Sequence, residues 1–175
     1  MNASRPIART IARPIALVGM MGAGKSTVGQ LLAARLGWRF VDSDAEIERV
    51  SGRTVANLFA YESESAFRTR ERAAIDGLLD GSPLVLAAGG GAFAHPRTRQ
   101  LILDRAAAVW IQVDVEILAK RIADAPGRPL LDPNNPLESL RRLHAQRLQG
   151  YALAPIRVDG GAAPDRVVDA ILAAR

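Results

Sequence analysis

The segment 19–26 constrains this chain more than any other, because it reads G-x-x-x-x-G-K-S. An apolar run at 14–18 precedes it and is typical of a buried strand, whereas 26–36 has the apolar spacing of a helix. A glycine-rich loop between a strand and a helix lets backbone N–H groups and the positive end of the helix dipole face a phosphate. A turn that matches by chance is the alternative, and the flanking strand and helix disfavour it. We therefore predict that this segment binds the phosphates of a nucleotide.

Two side chains of this loop supply chemistry that glycine lacks. Lys25 places a positive charge beside the β- and γ-phosphates, and Ser26 offers a hydroxyl oxygen to Mg²⁺. The chain has only two lysines, Lys25 and Lys120, which makes a chance match rarer still. We expect Mg²⁺ as a cofactor with Ser26 among its ligands. The nucleotide-binding residues predicted here are Gly22, Ala23, Gly24, Lys25, Ser26 and Thr27.

The composition indicates a globular protein with one core and excludes several kinds of chemistry. With 175 residues, 49% of them apolar, the chain fits one domain. It contains no cysteine, which excludes disulfides, zinc thiolates and thiol nucleophiles and agrees with a cytoplasmic location. No run of about 18 apolar residues is present, so we expect no membrane span.

The net charge of +5 comes from arginines that are scattered along the chain rather than clustered. Aromatic residues make up only 5%, so the sequence lacks the features of a nucleic-acid groove and we expect no nucleic-acid partner. Residues 1–13 hold three arginines and no acidic residue, which is compatible with a transit peptide. We favour the simpler interpretation of a flexible N-terminal tail.

Short apolar segments alternate with helical patterns along the rest of the chain. The strands that we predict lie near 14–18, 39–41, 84–88, 108–113 and 156–158. This alternation predicts an α/β protein with a three-layer P-loop fold, in which helices flank a five-stranded parallel sheet. One domain should extend over 14–175. The stretch 124–136 has four prolines, a glycine and two asparagines, and we predict a lid loop there.

Two groups of residues follow predicted strands at the edge where parallel sheets bind ligands. Asp42 and Asp44 come after the second strand; helix capping is the alternative, but one Asp would suffice for it. Gly89, Gly90 and Gly91 end the third strand and leave room for a ligand to touch backbone. A plain flexible turn is the alternative for the glycines. We expect at least one aspartate and the glycines to serve a ligand.

An arginine is a further candidate. Arg68 lies beside the apolar face of a helix that we predict at 62–79. The alternative is a surface arginine paired with Glu64 or Glu71, which lie at helical spacing from it.

These residues together resemble the shikimate kinase family, of the nucleoside-monophosphate-kinase-like P-loop group. The resemblance extends over nearly the whole chain, from about 15 to 174. Each motif except the P-loop is weak alone, and their shared order makes the match specific. The motifs are the P-loop, Asp42-Ser43-Asp44, Phe59 with Glu64, Phe67-Arg68 with Glu71, the three glycines, Arg128-Pro129-Leu130-Leu131, and Arg147 four residues before Tyr151.

The resemblance implies that ATP and shikimate react to give ADP and shikimate 3-phosphate. Shikimate would be the small-molecule substrate of a monomeric cytoplasmic enzyme that uses ATP and Mg²⁺. In that family the residue matching Asp44 holds substrate hydroxyls, and those matching Arg68 and Arg147 hold the substrate carboxylate. The residue matching Asp42 lies near Mg²⁺ and the attacking hydroxyl, which it orients or deprotonates.

Further roles are implied for the rest of the site. Gly89, Gly90 and Gly91 would form the substrate wall. Arg128 would come from the lid to the transferred phosphate and act with Lys25 and Asp42 in catalysis. The arginine matching Arg121 stacks on adenine, and Pro164 lies in the adenine loop.

Two rival functions stay open at this point. Another small-molecule kinase, such as a gluconate kinase, would keep the P-loop but lack the pair Arg68 and Arg147. A related sensor module without turnover is the second rival, and the filling of every reactive position disfavours it. The chain departs from the family at Ser63, where Gly is usual, and at Ala88, where Thr or Ser is common; we expect small local effects.

Overall fold

The structure, a computed structural model, describes residues 13–123 and 135–174. Its five strands all pair in parallel, in the order β2-β3-β1-β4-β5. The strands are β1 (Ile15–Val18), β2 (Arg39–Asp42), β3 (Leu84–Ala87), β4 (Ala107–Gln112) and β5 (Ile156–Asp159). The predicted α/β fold with a five-stranded parallel sheet between helices is therefore confirmed.

The described helices are α1 (Lys25–Leu36), α2 (Ser43–Ser51), α3 (Val55–Tyr61), α4 (Glu64–Leu78), α5 (Pro96–Arg105), α6 (Val115–Ile122), α7 (Pro136–Tyr151) and α8 (Pro164–Ala173). Three of them begin at a side-chain cap: Asp42 for α2, Thr54 for α3 and Ser63 for α4. Each of these side chains accepts a hydrogen bond from a backbone N–H group of the first turn, which would otherwise lack a partner. The departure at Ser63 thus supplies a cap that glycine lacks.

The central strands are covered on both faces, which explains their unbroken apolar sequence. No residue of β1 or β3 is more than 1% exposed. Because the strands are parallel, the carboxyl ends of β1, β2 and β3 meet at one edge. The register pairs Ala87 with Leu17 on one side and with Asp42 on the other. The segments that follow these strands therefore start from neighbouring points.

Two boundaries differ from the sequence prediction. The helix predicted at 62–79 begins at Glu64, because Ser63 caps it. Pro136, assigned to the end of the lid loop, is the first residue of α7, where a proline loses no helical hydrogen bond. The rest of the predicted lid, 124–134, and tail residues 1–12 lie outside the described residues. Within residues 13–123 and 135–174, no helix combines the length and apolar character needed to cross a membrane.

Two helical glycines should respond in opposite ways to alanine. A Cβ at Gly29 in α1 would lie 2.5 Å from Phe40 Cε2 and 3.3 Å from Leu17 Cδ1, whereas one at Gly77 in α4 meets nothing within 4 Å. Overpacking should make Gly29→Ala lower the free energy of unfolding by about 1 kcal/mol. Gly77→Ala should raise it by roughly 0.5 kcal/mol, because alanine favours the helix. Urea unfolding measures both, and shifts of the same sign would contradict the packing around Gly29.

Candidate active site

The carboxyl ends of β1, β2 and β3 open into a cavity of about 520 Å³. The predicted site residues that line it are Asp42, Asp44, Arg68, Gly89, Gly90, Gly91 and Arg147. Val55, Phe59 and Phe67 add apolar surface, and Met21 of the P-loop reaches the same cavity. The structure therefore brings together residues that lie far apart in the sequence, in a concave site that combines apolar surface with converging charged groups, as small-molecule sites do.

The P-loop turns from β1 into α1 through three glycines with positive φ. The φ angles are 143° at Gly19, 77° at Gly22 and 90° at Gly24, a conformation that other residues adopt at a cost. Lys25 Nζ donates to the carbonyl oxygens of Gly19 at 3.0 Å and Met20 at 2.9 Å. The ammonium group thus lies against the loop, at the amino end of α1, where N–H groups and the helix dipole attract anions.

A hydroxyl and a carboxylate meet beside the P-loop. Ser26 Oγ donates to Asp42 Oδ2 at 2.7 Å, and Asp42 Oδ1 accepts from the backbone N–H of Asp44 at 3.0 Å. Asp42 therefore caps α2 and accepts a hydrogen bond from the P-loop serine at the same time. Its capping role does not exclude it from the site. Two hard oxygen donors next to a phosphate loop fit Mg²⁺, whose remaining ligands are commonly phosphate oxygens and water.

Asp44 projects into the cavity beside the glycine turn. A Cβ at Gly89 would lie 2.5 Å from Asp44 Oδ1 and 3.0 Å from Glu71 Oε1, so two carboxylates crowd this glycine. Burial raises the pKa of Asp44 above its usual 3.8, and the negative charge of Asp42 raises it further. Asp42 caps α2, so Asp44 is not needed for capping and its carboxylate can bind a ligand in the cavity.

Arg68 is a buried arginine held by two carboxylates of its own helix. Its Nη1 donates to Glu71 at 2.8 Å and its Nη2 to Glu64 at 3.3 Å; the Glu71 side chain is 1% exposed and that of Glu64 67%. The guanidinium carbon also lies 5.7 Å from the ring centroid of Phe59 and 5.4 Å from that of Phe67, within cation–π range. The alternative of a surface arginine is therefore wrong, because Arg68 is buried. Both partners expected for it, Glu64 and Glu71, are nevertheless present.

Arg147 differs from Arg68 in having hydrogen-bonding capacity left over. It lies on α7 and is 6% exposed. Its Nη1 is a buried donor that has no hydrogen-bond partner among the described residues. A Cβ at Gly90 would lie 3.2 Å from that atom. Because buried donors are normally paired, Nη1 points to a ligand with acceptor oxygens at this wall of the cavity.

The glycine turn fits tightly among these charged groups. At Gly91, as at Gly89 and Gly90, a side chain would press on a charged neighbour, in this case the Arg68 guanidinium. The Gly89 N–H group donates to the buried Ser43 Oγ at 2.9 Å, which fixes the turn against α2. The alternative of a plain flexible turn therefore does not describe these glycines.

The remaining predicted residues lie on the P-loop side of the site or outside the described chain. Arg121 of α6 donates to the carbonyl oxygens of Gly22 at 3.4 Å and Gly160 at 3.0 Å, so it joins the P-loop to the loop before α8. Pro164 is the exposed first residue of α8. Arg128 lies outside the described residues.

Two side chains of the site were not assigned from the sequence. Both contact the glycine turn: Ser43 accepts from Gly89 N, and the Tyr151 hydroxyl donates to the Gly90 carbonyl oxygen. Each contact joins residues far apart in the chain, so no local pattern reports it. The positions of Ser43 between two aspartates and of Tyr151 four residues after Arg147 were the only signals.

The family follows from comparison with known proteins. The shikimate kinase family model matches residues 21–174. The chain belongs to the shikimate kinase family. A shikimate kinase from Paramagnetospirillum magneticum is 53% identical over 149 residues, which are 85% of this chain and 76% of that protein. One from Zymomonas mobilis is 44% identical over 163 residues, 93% of each chain.

A solved structure agrees with this assignment. The shikimate kinase from Acinetobacter baumannii in complex with shikimate is 39% identical and superposes with a TM-score of 0.87, over 91% of this chain and 90% of that one. The resemblance stated from the sequence motifs is therefore confirmed. As a member of a kinase family, the protein is an ATP-dependent phosphotransferase.

The ion pairs of Arg68 differ in burial, and their removal should differ in cost. Arg68→Ala leaves the buried Glu71 carboxylate without its main partner and should lower the free energy of unfolding by about 3 kcal/mol. Arg68→Ala combined with Glu71→Gln should recover roughly half of this loss, because the charge is gone. Glu64→Gln is the matched control at the exposed partner and should change stability little. Urea unfolding at pH 7 measures all four proteins; an unaltered stability of Arg68→Ala would contradict a buried ion pair.

Proposed function

We propose that this protein transfers the γ-phosphate of ATP to the 3-hydroxyl of shikimate, giving shikimate 3-phosphate and ADP. The observation that supports this most is the buried pair Arg68 and Arg147 in one cavity beside the P-loop. Arg147 Nη1 has no hydrogen-bond partner within the described part of the chain, as expected of a group that awaits a carboxylate. A relative from Acinetobacter baumannii forms a complex with shikimate.

In this proposal the substrate is held at both ends. Its carboxylate binds Arg68 and Arg147, whose planar forks of donors match two carboxylate oxygens. Asp44 accepts hydrogen bonds from ring hydroxyls, and the backbone of Gly89, Gly90 and Gly91 forms the wall against which the ring lies. Fixing the charged end and the hydroxyl end together leaves one hydroxyl facing the P-loop.

Positioning and charge stabilisation carry the chemistry in this proposal. A loose phosphoryl-transfer transition state needs little early deprotonation of the attacking hydroxyl, so Asp42 orients that hydroxyl or accepts its proton. Lys25 neutralises charge on the β- and γ-phosphates, and Arg128 does so on the transferred group. Mg²⁺, held by Ser26 and Asp42, would further neutralise the phosphate charge.

The nucleotide lies along the P-loop in this proposal. The segment Gly22, Ala23, Gly24, Lys25, Ser26 and Thr27 holds the phosphates. Arg121 stacks on adenine, and Pro164 lies in the loop around it. The absence of cysteine supports a cytoplasmic enzyme, and the scattered arginines support action without nucleic acid. The resemblance to the family supports a monomer.

A panel of acceptors tests the substrate. Purified protein with ATP and Mg²⁺ is given shikimate, quinate, gluconate or a nucleoside monophosphate, and ADP release is followed. Shikimate should give the highest kcat/KM, because its ring holds the carboxylate and the hydroxyls at the separation proposed for the two arginines and Asp44. Gluconate has the same groups on a flexible open chain, and quinate has them on a saturated ring of different shape. Lys25→Ala, the control for contaminating kinases, should lose most activity and keep its fold by circular dichroism. Faster turnover of gluconate, or full activity of Lys25→Ala, would contradict the proposal.

The buried carboxylate of Asp44 should shape the pH profile. Its pKa is raised, so it takes up a proton as the pH falls through a value above its usual 3.8. The neutral acid accepts weaker hydrogen bonds than the carboxylate, so kcat/KM for shikimate should fall in that range. In Asp44→Asn this acid limb should move to lower pH, while the overall rate drops. Protonation of the substrate carboxylate affects the wild type and Asp44→Asn equally, so it cancels in the comparison. Identical acid limbs in the two proteins would show that Asp44 does not determine the pH profile.

A further inference from the structure

Tyr151 occupies a junction between three parts of the site. It is the last residue of α7 and is 0% exposed. Its ring stacks on Trp110 of β4, with centroids 6.0 Å apart and planes 27° from parallel. Its hydroxyl donates to the Gly90 carbonyl oxygen and lies 3.7 Å from Met20 Sδ. One side chain therefore contacts the P-loop at Met20, the glycine turn at Gly90 and β4 at Trp110.

The same hydroxyl lies close to Arg147. The two residues are four apart on α7, a spacing that puts side chains on one helix face. Burial raises the pKa of Tyr151 to about 12, and the positive charge of Arg147 opposes that rise. At neutral pH the phenol thus keeps its proton and donates it to the Gly90 carbonyl oxygen, and a Cβ at that same glycine would lie 3.2 Å from Arg147 Nη1.

We propose that Tyr151 is a positioning residue for shikimate, whose hydroxyl holds the Gly90 carbonyl and so fixes the wall beside which Arg147 Nη1 meets the substrate. This inference rests on the proposed function. Arginine has many rotamers, so its position has to be fixed by neighbours. Glu64 and Glu71 hold Arg68 in place, whereas Arg147 has no carboxylate partner among the described residues. The Gly90 wall, which the Tyr151 hydroxyl holds, lies against the guanidinium, and Arg147 lines the cavity there.

Removal of the hydroxyl alone tests this role. Tyr151→Phe keeps the ring on Trp110 and deletes the hydrogen bond to the Gly90 carbonyl. We expect kcat/KM for shikimate to fall about fivefold through KM, as for the loss of one hydrogen bond between neutral groups, with kcat and the KM for ATP changed less than twofold. Tyr61→Phe is the matched control, because Tyr61 is the only other tyrosine and is 79% exposed.

A double-mutant cycle separates positioning from general packing. If Tyr151 acts through Arg147, Tyr151→Phe should cost less than twofold in kcat/KM when Arg147→Ala is already present. Initial rates at low shikimate give kcat/KM even where binding is too weak to saturate. Equal costs in both backgrounds, or no cost of Tyr151→Phe in the wild type, would overturn the role. A wild-type protein that ignores shikimate would instead overturn the proposed function.

A second measurement needs no substitution at Tyr151. Protein labelled with 3-fluorotyrosine has two ¹⁹F signals, which Tyr61→Phe assigns. Saturating shikimate should shift the Tyr151 signal, since the substrate carboxylate engages Arg147, whereas shikimate methyl ester at the same concentration should shift it far less. A Tyr151 signal that stays in place at saturating shikimate would contradict the placement of Tyr151 beside the bound substrate carboxylate, whether or not Tyr151→Phe folds.

Discussion

The parallel pairing of β2 and β1 on either side of β3 is the constraint on which the site depends. Ala87 pairs with Asp42 on one side and with Leu17 on the other, so three chain segments leave the sheet at one edge. One becomes the P-loop, one becomes α2 with its two aspartates, and one becomes the glycine turn. A shift of one residue in either pairing would turn side chains to the opposite face and separate Ser26 from Asp42.

Charge balance explains why the cavity tolerates so many ionisable groups. The carboxylates of Asp44 and Glu71 lie among the guanidiniums of Arg68 and Arg147; Glu71 and both arginines are buried, and Asp44 is half-buried. Desolvation of each charge is costly, and pairing offsets part of the cost. Arg68 is occupied by glutamates of its own helix, whereas Arg147 retains an unpaired donor in the described structure. The two arginines therefore contribute differently: one is fixed in advance, and the other completes its hydrogen bonds with the substrate carboxylate that we propose.

Local chemistry made much of the fold predictable. Apolar runs located the strands, and the glycines and Lys25 of the P-loop located the turn into α1, because these signals lie within a few residues of one another. The aspartates and glycines were predictable as a site only through their position after strands. Contacts that depend on register were not predictable, such as Ser43 with Gly89 and Tyr151 with Gly90. Ser63 shows the limit in a single residue: as a departure from a family pattern it carried no structural meaning until it was seen to cap α4.

The glycine turn couples residues that are otherwise independent. A side chain at Gly89 would press on Asp44, one at Gly90 on Arg147 and one at Gly91 on Arg68. None of the three glycines has a positive φ, so the requirement there is space rather than backbone conformation. The absence of a Cβ lets the charged groups approach the backbone wall, and the hydrogen bonds from Gly89 N to Ser43 and from Tyr151 to the Gly90 carbonyl hold that wall in place. A larger residue in the turn would therefore displace the carboxylate or guanidinium beside it, and the loss would show in substrate binding before it showed in the stability of the sheet.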